Sequence, residues 1–355
     1  MKNSVNAVSS EVRWCQRQIP AGQFRLLLAA LVVVFHTTGV PYGAVAVHLF
    51  FVLSGYWISR MWCRQYSGYA SPYRTFVISR AWRILPLYWI CYAVVMVVSW
   101  WCGRFDAATR SAVGSLEWWL RTVPLIGAAS LHELMLLRPA WSLDFEAQFY
   151  LVAPLIVSTA CDGRRRALLW MAAVLMGAAF AAGYAVLPGT VLQFGGFFIA
   201  GVLCERGGWV PGRRLLGFSQ PAFAGALLWL AVATVMKQGG AGVDAFPAGT
   251  QHWCEMLIVL AGMPMAIGSC RMPSDATDRH LGNLAFPLYL VHDAVDIVFE
   301  RLALNHGLGW KLATLPLQWF LMAAAAAVLY FWVDRPIDRL RQRWISFCPR
   351  KEARE

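Results

Sequence analysis

The sequence predicts an all-α, polytopic integral membrane bundle of about ten transmembrane helices with both termini cytoplasmic. Three observations predict it. Hydrophobic residues make up 59% of 355, charged residues only 14%, and mean hydropathy is +0.51. Apolar runs long enough to cross a bilayer recur along the whole chain, which a water-facing surface of this size does not tolerate. The 31 Lys and Arg, each assigned to the nearer side, fall 24 on the side holding both termini and 7 on the other. That bias is the positive-inside rule. The net charge of +12 therefore reports orientation and not a nucleic-acid partner.

The expected spans lie near 26–40, 44–62, 84–101, 142–160, 167–187, 190–205, 217–236, 253–270, 283–303 and 312–334. Residues 1–23 form a polar N-terminal arm, 24–335 the transmembrane domain and 336–355 a basic tail. The first run reads as a retained signal anchor, because no small-residue cleavage site follows it. The connection 102–141, with Trp118 and Trp119 near its start, reads as an amphipathic or re-entrant segment along the outer interface. Counting it as a span would reverse everything downstream and erase the charge bias. No internal repeat is evident, which disfavours inverted-repeat transporter folds. The nine cysteines show no CxxC and no metal-ligand spacing, so no metal is expected; a Cys102–Cys254 pairing is conceivable but weakly supported.

The first span opens on Arg25 and carries His36 deep in its apolar run, "FRLLLAALVVVFH". Ionisable groups at such depth are expensive and are functional candidates, although a histidine also serves simply to hydrogen-bond a neighbouring helix. Eleven residues of helix turn about 1100°, three turns plus about 20°, and rise about 16 Å, so both share one face. Arginine at the cytoplasmic interface suits phosphate, and a deep imidazole suits proton transfer. A long, thin ligand with phosphates at one end and a reactive group at the other fits this stripe, as an acyl-CoA does.

In the second span, "VAVHLFFVLSGYWISRMW" places His48 near the outer end and Ser54, Gly55 and Tyr56 mid-membrane. Gly55 is first of all a close-packing residue. In "TFVISRAWRILPLYWI", Arg80 and Arg83 share a helix face at the cytoplasmic entry of the third span, with Pro86 expected in its first turn. They are either positive-inside anchors or partners of Arg25 in a phosphate clamp. In "PAWSLDFEAQFY", Ser142 and Asp144 read as a helix cap. Glu146 lies a turn further in, either a structural contact or the carboxylate that orients His36. Trp141 joins His48, Ser54 and Tyr56 as a candidate for the acceptor side. In "FPLYLVHDAVD", His292 and Asp296 stand at i and i+4, a second polar site or a self-satisfied intrahelical contact.

The Arg25-X10-His36 pair, "HLFFVLSGYWIS", "FVISRAWRILPLYW", "WSLDFEAQFYLVAPLI", "LGNLAFPLYLVH" and "VDRPIDRL" follow one another as in the acyltransferase family 3 membrane proteins. The resemblance covers residues 24 to about 340. It implies a ten-helix enzyme moving an acyl group, acetyl first of all, from cytoplasmic acyl-CoA to a hydroxyl of a carbohydrate or lipid-linked glycan. By the same resemblance Arg25 and His36 are essential, Arg80 and Arg83 match the paired arginines, and Glu146 is the acid after the WSL match. The bilayer it implies is the bacterial inner membrane. Departures are Gln23-Phe24 where an acid is common, His48 before the FF pair, Ala285-Phe286 for Ser-Tyr, and Asp293 for Trp. A hydrolase-like extracytoplasmic domain, appended in some members, is missing. The expected roles are CoA-phosphate binding by Arg25, Arg80 and Arg83, and general-base or proton-relay action by His36 oriented by Glu146. The rivals are a carrier for a glycan or amphiphile, and a relative that kept the bundle but lost turnover.

Overall fold

A computed structural model describes residues 18–304 and 308–351. The start of the expected arm, residues 1–17, and residues 352–355 of the tail lie outside the described residues. The described chain is helical: α1 (Ala21–Thr38), α2 (Gly43–Arg64), α3 (Pro72–Trp101), α4 (Ala107–Val113), α5 (Leu116–Thr122), α6 (Ala140–Thr159), α7 (Gly163–Ala181), α8 (Gly195–Arg206), α9 (Arg213–Gln238), α10 (Gln251–Ser269), α11 (Ala276–Ala303), α12 (Leu308–Leu329) and α13 (Arg335–Phe347). A π-helical turn, Tyr330–Asp334, joins α12 to α13. Among the described residues, seven segments are long and apolar enough to cross a membrane: Ala21–Thr38, Gly43–Gly68, Pro72–Trp101, Arg213–Gln238, Gln251–Ser269, Ala276–Ala303 and Gly309–Phe347. Helices α6, α7 and α8 occupy the other three predicted segments. The 12 residues of α8 rise only about 18 Å, too little for a hydrocarbon core of about 30 Å.

One expectation is corrected here. The third helix begins at Pro72, its N1 residue, and runs 30 residues, so Pro86 lies mid-helix and not in the first turn. The arginines that interrupt the apolar run do not end the helix, because protein rather than lipid surrounds them. Much of the expected tail is helix: α13 packs on α3, with Arg341 donating to Ser79 Oγ (2.9 Å). Beyond α13, Ala70 N–H donates to the Pro349 carbonyl and Lys351 N–H to that of Gly68.

Residues 102–139 fold into two seven-residue helices and a 3-10 turn, Ala128–Leu134, with no long span. Asp106 and Ser115 cap the two helices through the N–H groups of Thr109 and Trp118. Tyr88 and Trp89 of α3 donate to the carbonyls of Thr122 and Val123, tying the segment to the bundle. Asp144 is not a cap for α6: it lies inside that helix, buried, and accepts from the N–H groups of Gly127 and Ala129. Ser142 is likewise internal and is discussed below.

Without a hydrophobic drive between helices in lipid, close backbone approach selects neighbours. Helix α2 packs tightly on α8 because Gly55 and Gly201 face the partner backbone; a Cβ at Gly55 would lie 2.0 Å from the Phe198 carbonyl oxygen. Helix α1 packs on α11 in the same way, Gly22 lying against the Asp278 backbone. The Asp278 carboxylate accepts from Gln23 N–H (2.9 Å), capping the start of α1 from the neighbouring helix. These two contacts fix where Arg25, His36 and Ser54 point.

Candidate active site

Helices α1, α2, α3, α6, α11 and α13 enclose one cavity of about 480 Å³. It receives Arg25 from α1, Ser54 from α2, Arg80 and Arg83 from α3, and Glu146 from α6. Asp338 and Arg341 of α13 line one end of it, and Ser142 and Tyr289 the other.

The three arginines are brought together but are held differently. Arg83 pairs with Asp334 (2.5 Å), both largely buried, and its guanidinium lies 5.4 Å from the ring centre of Phe286. Arg80 donates to Tyr66 Oη (3.2 Å), which itself bonds Ser79 Oγ (2.7 Å), while its buried Nε has no partner among the described residues. Arg25 donates no side-chain hydrogen bond among the described residues and faces the cavity, with Arg83 and Glu146 as its electrostatic neighbours. Its donors are open to an anion.

Glu146 lies with these arginines and not with His36. Its Oε1 accepts from Ser54 Oγ (2.9 Å) and Tyr150 Oη (2.6 Å), so the expected orienting contact to His36 is not made. Glu146 is one turn along α6 from Ser142, and Ser142 Oγ lies 2.6 Å from Tyr289 Oη, which donates to the Pro139 carbonyl. Ser142 and Tyr289 both line the cavity, and the Tyr289 ring lies 6.2 Å from that of His292. His36 is half-buried, outside the cavity lining, its ring 5.0 Å from that of His292.

The expected intrahelical His292–Asp296 contact is also corrected. Asp296 bonds Arg138 (2.7 Å) and Gln318 Nε2 (2.9 Å), and His292 Nδ1 faces the Leu288 carbonyl (3.2 Å). Arg138 gathers Asp293 (2.6 Å), Asp296 and Glu300 (3.1 Å), and Arg104 closes on Glu300 (2.6 Å). Asp293, fully buried, thus fixes Arg138, two residues before α6, to α11 through both its side chain and its N–H.

Of the remaining candidates only Ser54 reaches the cavity. His48 is buried in a phenylalanine cage, stacked on Phe197 at 4.6 Å. Tyr56 is buried 5.8 Å beneath the guanidinium of Arg271, and Trp141 packs among Phe51, Phe145 and Phe194. All eight described cysteines are free, Cys102 and Cys254 included. Tyr150, Tyr289, Asp334 and Arg138 went unremarked as site residues in the sequence reading. The sequence signals for Asp334 are its place directly after the last apolar run and within the motif "VDRPIDRL".

A chain whose described residues are helical, with seven segments of membrane length and a cationic cavity within the bundle, is an integral, multi-pass membrane protein. The acyltransferase domain of acyltransferase family 3 matches residues 23–335, and the chain belongs to that family. Membership places it among enzymes that transfer acyl groups. It is 26% identical over 307 residues to the exopolysaccharide production protein ExoZ of Rhizobium meliloti (strain 1021), covering 84% of this chain and 90% of that protein. No solved structure matches.

Proposed function

We propose that the protein is an O-acyltransferase of the bacterial inner membrane that moves an acyl group, acetyl first of all, from cytoplasmic acyl-CoA to a hydroxyl of a carbohydrate or lipid-linked glycan. The observation that carries this reading is the cavity: three arginines near its cytoplasmic mouth, one of them unpaired, lead inward toward the end nearest His36. Arg25, Arg80 and Arg83 take the CoA phosphates, the geometry charge-assisted hydrogen bonds favour. Glu146, held by Ser54 and Tyr150, accepts from the amide N–H groups of the pantetheine arm. The printed name of the rhizobial relative, an exopolysaccharide production protein, supports a glycan acceptor.

In the transfer, His36 removes the proton from the acceptor hydroxyl as its oxygen attacks the thioester carbonyl. The carbon–sulfur bond breaks, and the imidazolium returns the proton to the departing CoA thiolate, giving ester and free thiol. Ser142 and Tyr289 must part for the thioester to reach His36. In this reading ten segments cross the membrane, α6, α7 and the short α8 together with the 3-10 turn Val191–Gln193 before it included, and both termini are cytoplasmic. The 24-to-7 distribution of Lys and Arg supports that orientation.

The test is thiol release from acetyl-CoA by purified, folded protein, with and without a glycan acceptor. His36→Gln keeps a hydrogen bond but moves no proton, so turnover should fall roughly 10²–10⁴-fold with CoA affinity retained. Near-normal transfer by His36→Gln would make the histidine a packing residue. Donor binding without any thiol release would favour a carrier.

A further inference from the structure

A second imidazole, His292 on α11, lies beside His36. His292 is wholly buried, and its Nδ1 faces a carbonyl, the Leu288 oxygen at 3.2 Å, which only accepts. Nδ1 therefore carries the proton of the neutral ring, and Nε2 is left as a lone-pair acceptor. That Nε2 is buried without a hydrogen-bond partner among the described residues. Buried acceptors of this kind are rarely left empty, and each asks for a donor.

The surrounding donors are spoken for. The Tyr289 hydroxyl is engaged with Pro139 and Ser142, Arg138 with Asp293, Asp296 and Glu300, and Gln318 with Asp296. The ring that remains is His36, with its centroid 5.0 Å from that of His292. Two imidazoles joined by an N–H···N bond of ordinary length, about 2.9 Å, have centroids about 5 Å apart. The rings are tilted by 44°, at a separation that suits such a bond.

We propose that His292 is the positioning residue for His36: its Nε2 accepts the single N–H of neutral His36 and so turns the other ring nitrogen, with its lone pair, toward the acceptor hydroxyl. This rests on the reading of His36 as the base. The Arg138–Asp293 pair, one residue along α11, holds that helix in the register the contact needs. When His36 takes the acceptor's proton, the second N–H of the imidazolium forms on the hydroxyl side, and the bond to His292 persists through the step. His292 itself neither gains nor loses a proton. The task expected of Glu146 thus falls to a second imidazole.

The experiment is steady-state acyl transfer by full-length protein carrying His292→Leu, His292→Gln, His36→Gln and the His36→Gln/His292→Leu pair, each checked for folding by its thermal transition and CoA binding. The amide oxygen of Gln reaches the place of Nε2 and keeps an acceptor there. His292→Leu should lower kcat about 10–100-fold with KM for the acyl donor unchanged, and His292→Gln should recover most of that loss. In the His36→Gln background, His292→Leu should cost nothing further. Turnover unchanged in His292→Leu, or His292→Gln as slow as His292→Leu with both folded, overturns the positioning role while leaving His36 as base. A His36→Gln variant that turns over normally overturns the base itself, a separate outcome.

Discussion

Removing Arg25 and removing Arg83 should have different consequences, although both guanidinium groups line the same cavity. Arg25 has no hydrogen-bonding partner to abandon among the described residues. Its loss should leave the fold intact and cost what a charge-assisted bond to phosphate contributes, about 1.5–3 kcal/mol. That is about a 10- to 150-fold rise in the Kd for CoA. Arg83 is different, because Asp334 pairs with it at 2.5 Å and its side chain is only 5% exposed. Arg83→Ala strands that carboxylate, and breaking one side of a buried pair costs about 3–5 kcal/mol of stability. Against a total folding stability of about 5–15 kcal/mol, that is a large fraction. Removing both partners, Arg83→Ala with Asp334→Ala, should recover most of the stability and none of the phosphate affinity. The assays are calorimetric titration with CoA and thermal unfolding, on protein in detergent or nanodiscs. Arg25→Ala binding CoA as tightly as the unaltered protein would refute the phosphate role. An Arg83→Ala variant as stable as the double variant would refute the buried pair.

Three further outcomes follow from packing and charge. Gly55→Val should destabilise by more than about 3 kcal/mol, since its Cβ would lie 2.0 Å from a backbone oxygen that has no free end to move; a thermal midpoint within a degree or two of the unaltered protein would contradict the α2–α8 contact. Arg138→Ala leaves Asp293 and Asp296 buried without their cation and should cost about 3–5 kcal/mol, read by the same unfolding transition. A reporter active only in the cytoplasm should work when fused after Glu355 or at Arg165 and stay silent at Ala108. Activity at Ala108 would discard the ten-span topology.

The sequence by itself determined that the chain is a helical membrane protein and where most of its helices lie. Hydropathy and helical period are local properties, so the apolar runs showed the spans, and an eleven-residue spacing put Arg25 and His36 on one face whatever surrounds them. The motifs in order likewise sufficed for the family. Which side chains meet was decided only by the tertiary structure. Arg83 and Asp334 are 251 residues apart, and Glu146 finds Ser54 across 92. Each polar group in an apolar run had several chemically acceptable partners, and the one it takes depends on which helix lies beside it. That choice is made by backbone approach at Gly55, Gly201 and Gly22, which the sequence shows as small residues but not as particular contacts. Helix ends were misread for a related reason. Arg80 and Arg83 look like an interface when lipid is assumed to surround them. In the bundle they face protein and a polar cavity, so α3 carries on through them from Pro72.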